Sequence, residues 1–164
     1  MPQLQMARAE SNVRIVPSVF DRLLDDAPWE RTDPPTDLRQ ALGNLRHSVA
    51  RDLETLLNTR RDPLAELDAL PNLRRSLATY GLPDFAVYSL NSDTDRATIR
   101  REVEEAIATF EPRLKNVRVI LESDIHQRAL SFRIDALLQV DPVPEPVVFD
   151  AVVEWNPQRV KVKG

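Results

Sequence analysis

The sequence is short of cysteine, of glycine and of long apolar runs. None of its 164 residues is cysteine, which excludes disulfides, thiol nucleophiles and cysteine metal sites and fits a reducing compartment. Only three residues are glycine, and no glycine-rich loop could cradle a phosphate group. No apolar run reaches the roughly 20 residues of a membrane-spanning helix, and residues 1–18 lack a continuous apolar stretch. We therefore expect no direct membrane insertion and no signal peptide.

Aromatic residues and a strong charge imbalance are also lacking. Aromatic side chains make up 5% of the chain, whereas sugar-binding clefts tend to use aromatic platforms. The net charge is −4, which argues against a nucleic-acid binder. The hydrophobic share of 42% and the charged share of 29% are ordinary for a globular protein. The length suits one domain, which we place at residues 17–164 after a polar, flexible N-terminal arm at residues 1–16.

Two stretches carry apolar residues at spacings of three and four, which is typical of amphipathic helices. The first has Thr36 as its candidate N-cap and ends near Asn58. The second opens at Asp93 or Thr94. Their apolar stripes are Leu38, Leu42, Leu45, Val49, Leu53, Leu56 and Leu57 in the first helix and Ile99, Val103, Ile107 and Phe110 in the second.

Shorter elements are predicted between these two helices. Residues 62–63 (Asp-Pro) read as an N-cap followed by a proline at the first helical position. Asn72 is a candidate cap for another short helix, which Gly81 closes in a left-handed conformation. Residues 86–90 (AVYSL) predict a short strand.

After Pro112 the apolar period changes from about 3.6 to about 2 residues, as expected for strands. Three such runs follow one another without a long helix between them, so we predict an antiparallel meander. The predicted fold class is α+β, with N-terminal helices packed on one face of a small, mainly antiparallel sheet formed by the C-terminal half. The three apolar faces comprise Val117, Val119 and Leu121; Leu130, Phe132 and Ile134; and Phe149, Ala151, Val153 and Trp155.

The triplet Glu111-Pro112-Arg113 stands between the second helix and the first strand. Pro112 must stop the helix, because proline has no amide hydrogen and clashes with the preceding turn. Glu111 then lies at the helix C-terminus, where the helix dipole disfavours an acid. Two interpretations stay open from the residues alone. The triplet forms either a structural ion pair between helix and sheet, or a recognition pair that is offered to a partner subunit.

Two catalytic or metal-binding alternatives have little support. Glu111 and a second carboxylate could form a glycosidase pair, but with 26 acidic residues in the chain a nearby carboxylate is nearly guaranteed. Glu122, Asp124 and His126 could be metal ligands, although one histidine and two acids in a predicted turn are a common accident. We expect no catalytic residue, no cofactor and no metal.

Six segments in a fixed order resemble a known family: PSVFDRL, RDLETLLNTRR, LATYGLPDF, IRREVEEAIATFEPRLKNVRV, FRIDALL and PVVFDAVVE. Together they are similar to the TssE family, the baseplate wedge subunits of type VI secretion systems. That family belongs to the tailed-phage baseplate group often labelled lysozyme-like. The resemblance covers residues 17–155, and the hallmark Glu-Pro-Arg motif falls on Glu111, Pro112 and Arg113.

The resemblance implies a non-enzymatic part of a contractile injection machine. Its implied partners are other wedge subunits of the TssF, TssG and TssK type and sheath subunits of the TssB and TssC type. The implied location is the bacterial cytoplasm, in a baseplate docked at the inner membrane. The alternative function, suggested by the old label, is a peptidoglycan-degrading hydrolase that uses Glu111. Under the first reading Glu111, Pro112 and Arg113 bind a partner.

The C-terminal segment after Pro157 alternates apolar and basic residues. Val160 and Val162 alternate with Arg159, Lys161 and Lys163. This pattern fits a solvated edge strand or a frayed tail, since lysines on an edge discourage unwanted pairing. Family members receive the first sheath ring through strand exchange, which implies that Val160 and Val162 lie on an edge that accepts a sheath strand.

Overall fold

A computed structural model describes residues 15, 23, 29, 37–62, 70, 72–85, 87–89, 91–124, 129–141, 143–155 and 158–164. Its helices are α1 (Leu38–Asn58) and α2 (Asp93–Phe110). Its strands are β1 (Leu114–Asp124), β2 (Ala129–Leu138), β3 (Glu145–Trp155) and β4 (Gln158–Lys163). The predicted N-terminal arm, apart from residue 15, and the helix predicted after residues 62–63 lie outside the described residues.

The first long helix ends where the sequence predicts, but it is capped one residue later than expected. Asp37 is the N-cap in place of Thr36, and its carboxylate accepts a hydrogen bond from Leu38 N–H at 2.8 Å. Aspartate is at least as good a cap as threonine, so the sequence allowed both. Asn58 is the last helical residue, because Thr59 takes an extended conformation. Most of the predicted stripe faces the core, with Leu45, Val49, Leu53, Leu56 and Leu57 buried, but Leu38 in the first turn is 38% exposed.

The second long helix has the predicted limits. The Ser92 hydroxyl accepts from Asp95 N–H at 3.3 Å, and the acids at positions 93 and 95 suit the positive end of the helix dipole. The helix stops at Phe110, two residues before Pro112. Ile99, Val103, Ala106 and Ile107 are its buried side chains.

The connection between the helices differs from the prediction. Two single-turn 3-10 helices, Leu73–Arg75 and Leu77–Thr79, replace the short helix, and the side chain of Asn72 makes no capping bond. The buried Thr79 hydroxyl lies within 3.0–3.2 Å of three main-chain carbonyls, which favours this tight winding. The strand predicted at residues 86–90 is wrong, since none of the described residues 87–89 belongs to a strand and Tyr88 N–H instead donates to the Phe85 carbonyl at 3.1 Å, as in a turn.

The four strands form one antiparallel sheet in the order β1-β2-β3-β4. The three predicted runs are β1, β2 and β3, and the C-terminal segment adds a fourth strand. A register shift between Lys115 and Arg118 interrupts the β1–β2 pairing, next to Asn116 with its positive φ of 54°. The meander and the α+β class are confirmed.

Both helices pack on the same face of the sheet, α2 along β1 and α1 along β4. That face supplies buried side chains such as Val119, Ile134 and Phe149. The opposite face exposes Ile120, Val148 and Val152 to between 39% and 52%. In the part of the chain described above, no helix is long and apolar enough to cross a lipid bilayer.

Candidate partner-binding sites at the helix–sheet corner and the β4 edge

The Glu-Pro-Arg triplet forms a tight corner between α2 and β1. Glu111 follows the last residue of α2, and Leu114 N–H donates to its carbonyl at 3.1 Å across the turn. The Arg113 carbonyl accepts from Gln139 N–H at 2.8 Å, which ties the corner to the end of β2. Pro112 itself is exposed. The backbone of the triplet is therefore held at both sides of the proline.

Glu111 and Arg113 form a two-bond ion pair within the corner. Arg113 Nε donates to Glu111 Oε1 at 2.6 Å, and Arg113 Nη2 donates to Glu111 Oε2. The main-chain N–H of Arg113 also donates to Oε1 at 3.3 Å. Glu111 is only 4% exposed. The guanidinium, rather than the helix end, thus supplies the positive charge that this buried acid needs.

Arg113 also reaches α1. Its Nη2 donates to Asp52 Oδ2 at 2.5 Å and its Nη1 donates to Ser48 Oγ at 3.2 Å. Asp52 is shared with Arg51, whose Nη2 lies 3.2 Å from the other carboxylate oxygen. Ser48, Asp52, Glu111 and Arg113, here called the corner cluster, join α1 to the α2–β1 turn.

The pKa values of two groups at the corner are shifted: that of Arg113, which belongs to the corner cluster, and that of Tyr80, which lies beside it. Hydrogen bonding to Glu111, which outweighs burial, raises the pKa of the Arg113 guanidinium above its ordinary value, with Asp52 contributing further. The pKa of Tyr80 is also raised, first by burial and then by the negative charges of Asp52 and Glu111. The Tyr80 ring stands edge-on to Phe110 at 5.2 Å, against the last turn of α2.

This geometry bears on the two interpretations of the triplet. The structural ion pair between Glu111 and Arg113 is present, and the bonds of Arg113 to Ser48 and Asp52 extend it to α1. A role in binding a partner stays a prediction for Glu111, Pro112 and Arg113. The groups that could meet a partner are the exposed Pro112 and the outer parts of Arg113 and Asp52, whose side chains are 23% and 34% exposed.

The β4 edge is the second predicted site. Val160 is buried at 6% exposure and Val162 is half-buried, both on the face that packs against α1. Val160 N–H donates to Asn58 Oδ1 at 2.7 Å, while Asn58 Nδ2 donates to the Val160 carbonyl at 2.8 Å. The segment is therefore a paired strand, and α1 covers part of its outer edge.

The two predicted sites lie near opposite edges of the sheet, and α1 contacts both. Sequence reasoning missed Ser48, Asp52 and Asn58, which contribute from α1. The one feature of the sequence that could have pointed to them is that they are polar and lie off the apolar stripe, in the C-terminal half of α1. The alternative of a metal site at Glu122, Asp124 and His126, which we did not favour, stays untested, because these side chains lie outside the described part of the structure.

Comparison with known proteins assigns the chain to a family. The sequence model of the family described as "Baseplate wedge protein gp25" matches residues 43–143, which include the whole corner cluster. None of the curated proteins compared with the chain matches its sequence. A solved structure titled "The baseplate complex from the type VI secretion system" is similar at 18% identity and a TM-score of 0.48, covering 68% of this chain and 96% of the other. Because the family match spans more than half of the sequence, the chain belongs to the gp25 baseplate wedge family.

Proposed function

We propose that this chain is a structural subunit of the baseplate wedge in a type VI secretion system, of the TssE type. The observation that carries the proposal is the family match over residues 43–143. The more specific assignment to a type VI secretion system also rests on the resemblance of the six sequence segments to the TssE family. The proposed location is the bacterial cytoplasm, in a baseplate docked at the inner membrane.

Other wedge subunits, of the TssF, TssG and TssK type, are the proposed partners at the corner. The corner cluster fixes the angle between α1, α2 and β1, so a partner would meet a preformed surface. Pro112 is exposed there, and Arg113 and Asp52 are partly exposed beside it. A rigid surface loses little conformational entropy on binding, which favours stable assembly.

A second part of the proposal links the wedge to the first sheath ring. β4 is an edge strand, and a sheath strand of the TssB or TssC type would pair with it at Val160 and Val162. Because Asn58 and Glu54 already bond to these two residues, such pairing requires α1 to release them.

Sheath assembly in cells tests the structural role. In a strain that lacks this chain and carries a fluorescent sheath subunit, we expect no extended sheaths. Re-expression of the intact chain restores them. Normal sheaths in the deletion strain would refute the proposal, and a strain lacking a known sheath subunit sets the background.

We also propose that the chain is not an enzyme. A general acid must reach its substrate, whereas Glu111 is buried and both its carboxylate oxygens bind Arg113. The alternative, a peptidoglycan-degrading hydrolase that uses Glu111, predicts that pure protein clears a suspension of cell walls. We expect no loss of turbidity. Clearing that disappears in Glu111→Gln would establish the alternative.

A further inference from the structure

Side chains from the last two turns of α1 occupy the outer edge of β4. Asn58 exchanges two hydrogen bonds with the main chain of Val160, at 2.7 and 2.8 Å. One turn earlier, Glu54 Oε2 accepts from Val162 N–H at 3.4 Å. These main-chain groups point away from β3, so they are the groups with which a fifth strand would pair.

The spacing of the two elements explains why one helix can cover the edge of a strand. Four residues of α-helix advance about 6.0 Å, and two residues of strand advance about 6.8 Å. Positions 54 and 58 therefore come opposite positions 162 and 160. Asparagine suits the contact, because its amide carries both a donor and an acceptor, as a peptide group does. In an antiparallel pair two facing residues exchange both bonds, which is the arrangement that the Asn58 side chain reproduces.

The same protection occurs, more weakly, at the other edge of the sheet. Val119 N–H of β1 donates to Glu104 Oε1 of α2 at 2.8 Å. Both helices thus direct a polar side chain at the edge strand that lies beneath them. Unpaired edge groups are a template for pairing with another chain, so covering them has a consequence for association.

In the isolated chain, the strand available to an uncovered β4 edge is the β4 strand of a second copy. The outward groups lie at Val160 and Val162, with Lys161 between them. Two β4 strands can therefore pair about a two-fold axis, with position 160 of each copy facing position 162 of the other. Lys161 then faces its own copy, and like charges directly opposite are unfavourable.

We propose that Asn58 and Glu54 lock the β4 edge and thereby prevent two copies of this chain from pairing strand to strand. The inference goes beyond the proposed function, because it concerns the isolated chain and needs no baseplate. If this inference fails, the proposed baseplate role is unaffected. If the proposed baseplate role fails, this inference is unaffected.

A single introduced thiol reports on this pairing, since the chain has no cysteine. With Lys161→Cys, the two thiols of a β4–β4 pair lie in a non-hydrogen-bonded position, with Cα atoms about 4.5 Å apart, which permits a disulfide. The locked chain carries Lys161→Cys alone. The unlocked chain carries Asn58→Ala and Glu54→Ala as well. Both are oxidised mildly and analysed on non-reducing gels and by sedimentation velocity.

We expect the unlocked chain to form mostly disulfide-linked dimers and the locked chain to stay monomeric. A chain with Lys161→Cys and Asn44→Ala, which changes an exposed asparagine on the same helix, should behave like the locked chain. An unlocked chain that stays monomeric, or equal dimer formation in both chains, overturns the proposal. If the double substitution lowers the helical circular dichroism signal, Asn58→Asp replaces it. The aspartate can accept from Val160 N–H but cannot donate to the Val160 carbonyl. We therefore expect fewer dimers than in the double-substituted chain but more than in the locked chain. A dimer fraction no larger than that of the locked chain overturns the proposal.

Discussion

Glu111 and Arg113 occupy positions that make sense only together. An acid at the C-terminal end of a helix opposes the dipole, and a buried acid without a partner is costly. The guanidinium offsets both effects with two bonds to the carboxylate. The sequence shows the mismatch at Glu111, but it does not show the groups that complete the cluster. Asp52 and Ser48 lie 61 and 65 residues before Arg113 in the chain, and only the packing of α1 brings them near.

Glu111→Gln tests the energetic role of the pair. The substitution keeps the size of the side chain and removes its charge, which leaves Arg113 with Asp52 as its anionic partner. Breaking a fully buried pair costs on the order of 3–5 kcal/mol, and the partial exposure of Arg113 lowers our expectation to about 2–3 kcal/mol. Urea unfolding followed by circular dichroism measures the change in the free energy of unfolding.

The matched control for this variant is Glu105→Gln. Glu105 is an exposed glutamate nearly two turns earlier on the same helix. A surface substitution of this kind should change stability by less than about 0.5 kcal/mol. Equal effects of the two variants would show that the corner cluster does not stabilise the fold.

Tyr80, beside the corner cluster, makes the stability of the folded chain depend on pH on the alkaline side. Its pKa is raised above 10.0 in the folded chain by burial and by Asp52 and Glu111. As pH rises past 10.0 the unfolded chain loses the tyrosine proton first, so the free energy of unfolding falls. We expect Tyr80→Phe to remove part of this fall. Parallel stability profiles of the two proteins between about pH 8 and 11 would contradict the expectation.

At the scale of elements, strongly periodic segments could be predicted and irregular ones could not. The limits of α1 and α2 follow from their apolar stripes and from Pro112, and β1 to β3 follow from their alternation. The short helix predicted after Asn72 is wrong because the winding there depends on a local contact that periodicity does not show: the Thr79 hydroxyl lies within 3.0–3.2 Å of three main-chain carbonyls. β4 could be foreseen as extended, but its burial against α1 depends on long-range packing.

Gly81 is the point at which the end of α1 meets the segment before α2. Its φ of 106° lies outside the range that L residues prefer, and an added Cβ would come within 2.4 Å of the Thr59 carbonyl oxygen. That carbonyl accepts from Leu82 N–H, so a shift there also breaks the bridge between the two segments. We expect Gly81→Ala to lower the free energy of unfolding by more than about 1 kcal/mol.

Gly43 provides the opposite case within the same protein. It lies inside α1, and an added Cβ would meet nothing within 4 Å. Alanine is the better helix former by about 0.5–1 kcal/mol, so we expect Gly43→Ala to stabilise the chain. Thermal unfolding of both variants distinguishes the two glycines. If both substitutions raised the stability, or both lowered it, the backbone conformation at each glycine would not explain the effect of the substitution.

At the scale of the whole molecule, α1 and α2 pack on one face of the sheet, and neither of them covers the opposite face. α1 connects the corner cluster, through Ser48 and Asp52, to the β4 edge, through Glu54 and Asn58. α1 therefore links the two predicted partner-binding sites within one described fold. Membership of the gp25 baseplate wedge family agrees with this design.

The most direct test of the baseplate role is native affinity purification of the tagged chain, with subunit ratios measured by quantitative mass spectrometry. If the chain is a wedge subunit, the other wedge subunits are recovered with it in a fixed ratio, together with sheath subunits. A tag-only strain and a strain expressing Arg113→Ala, which should recover fewer wedge subunits, are the controls. Recovery of the chain alone, from cells that contain the other baseplate proteins, would show that it is not a wedge subunit.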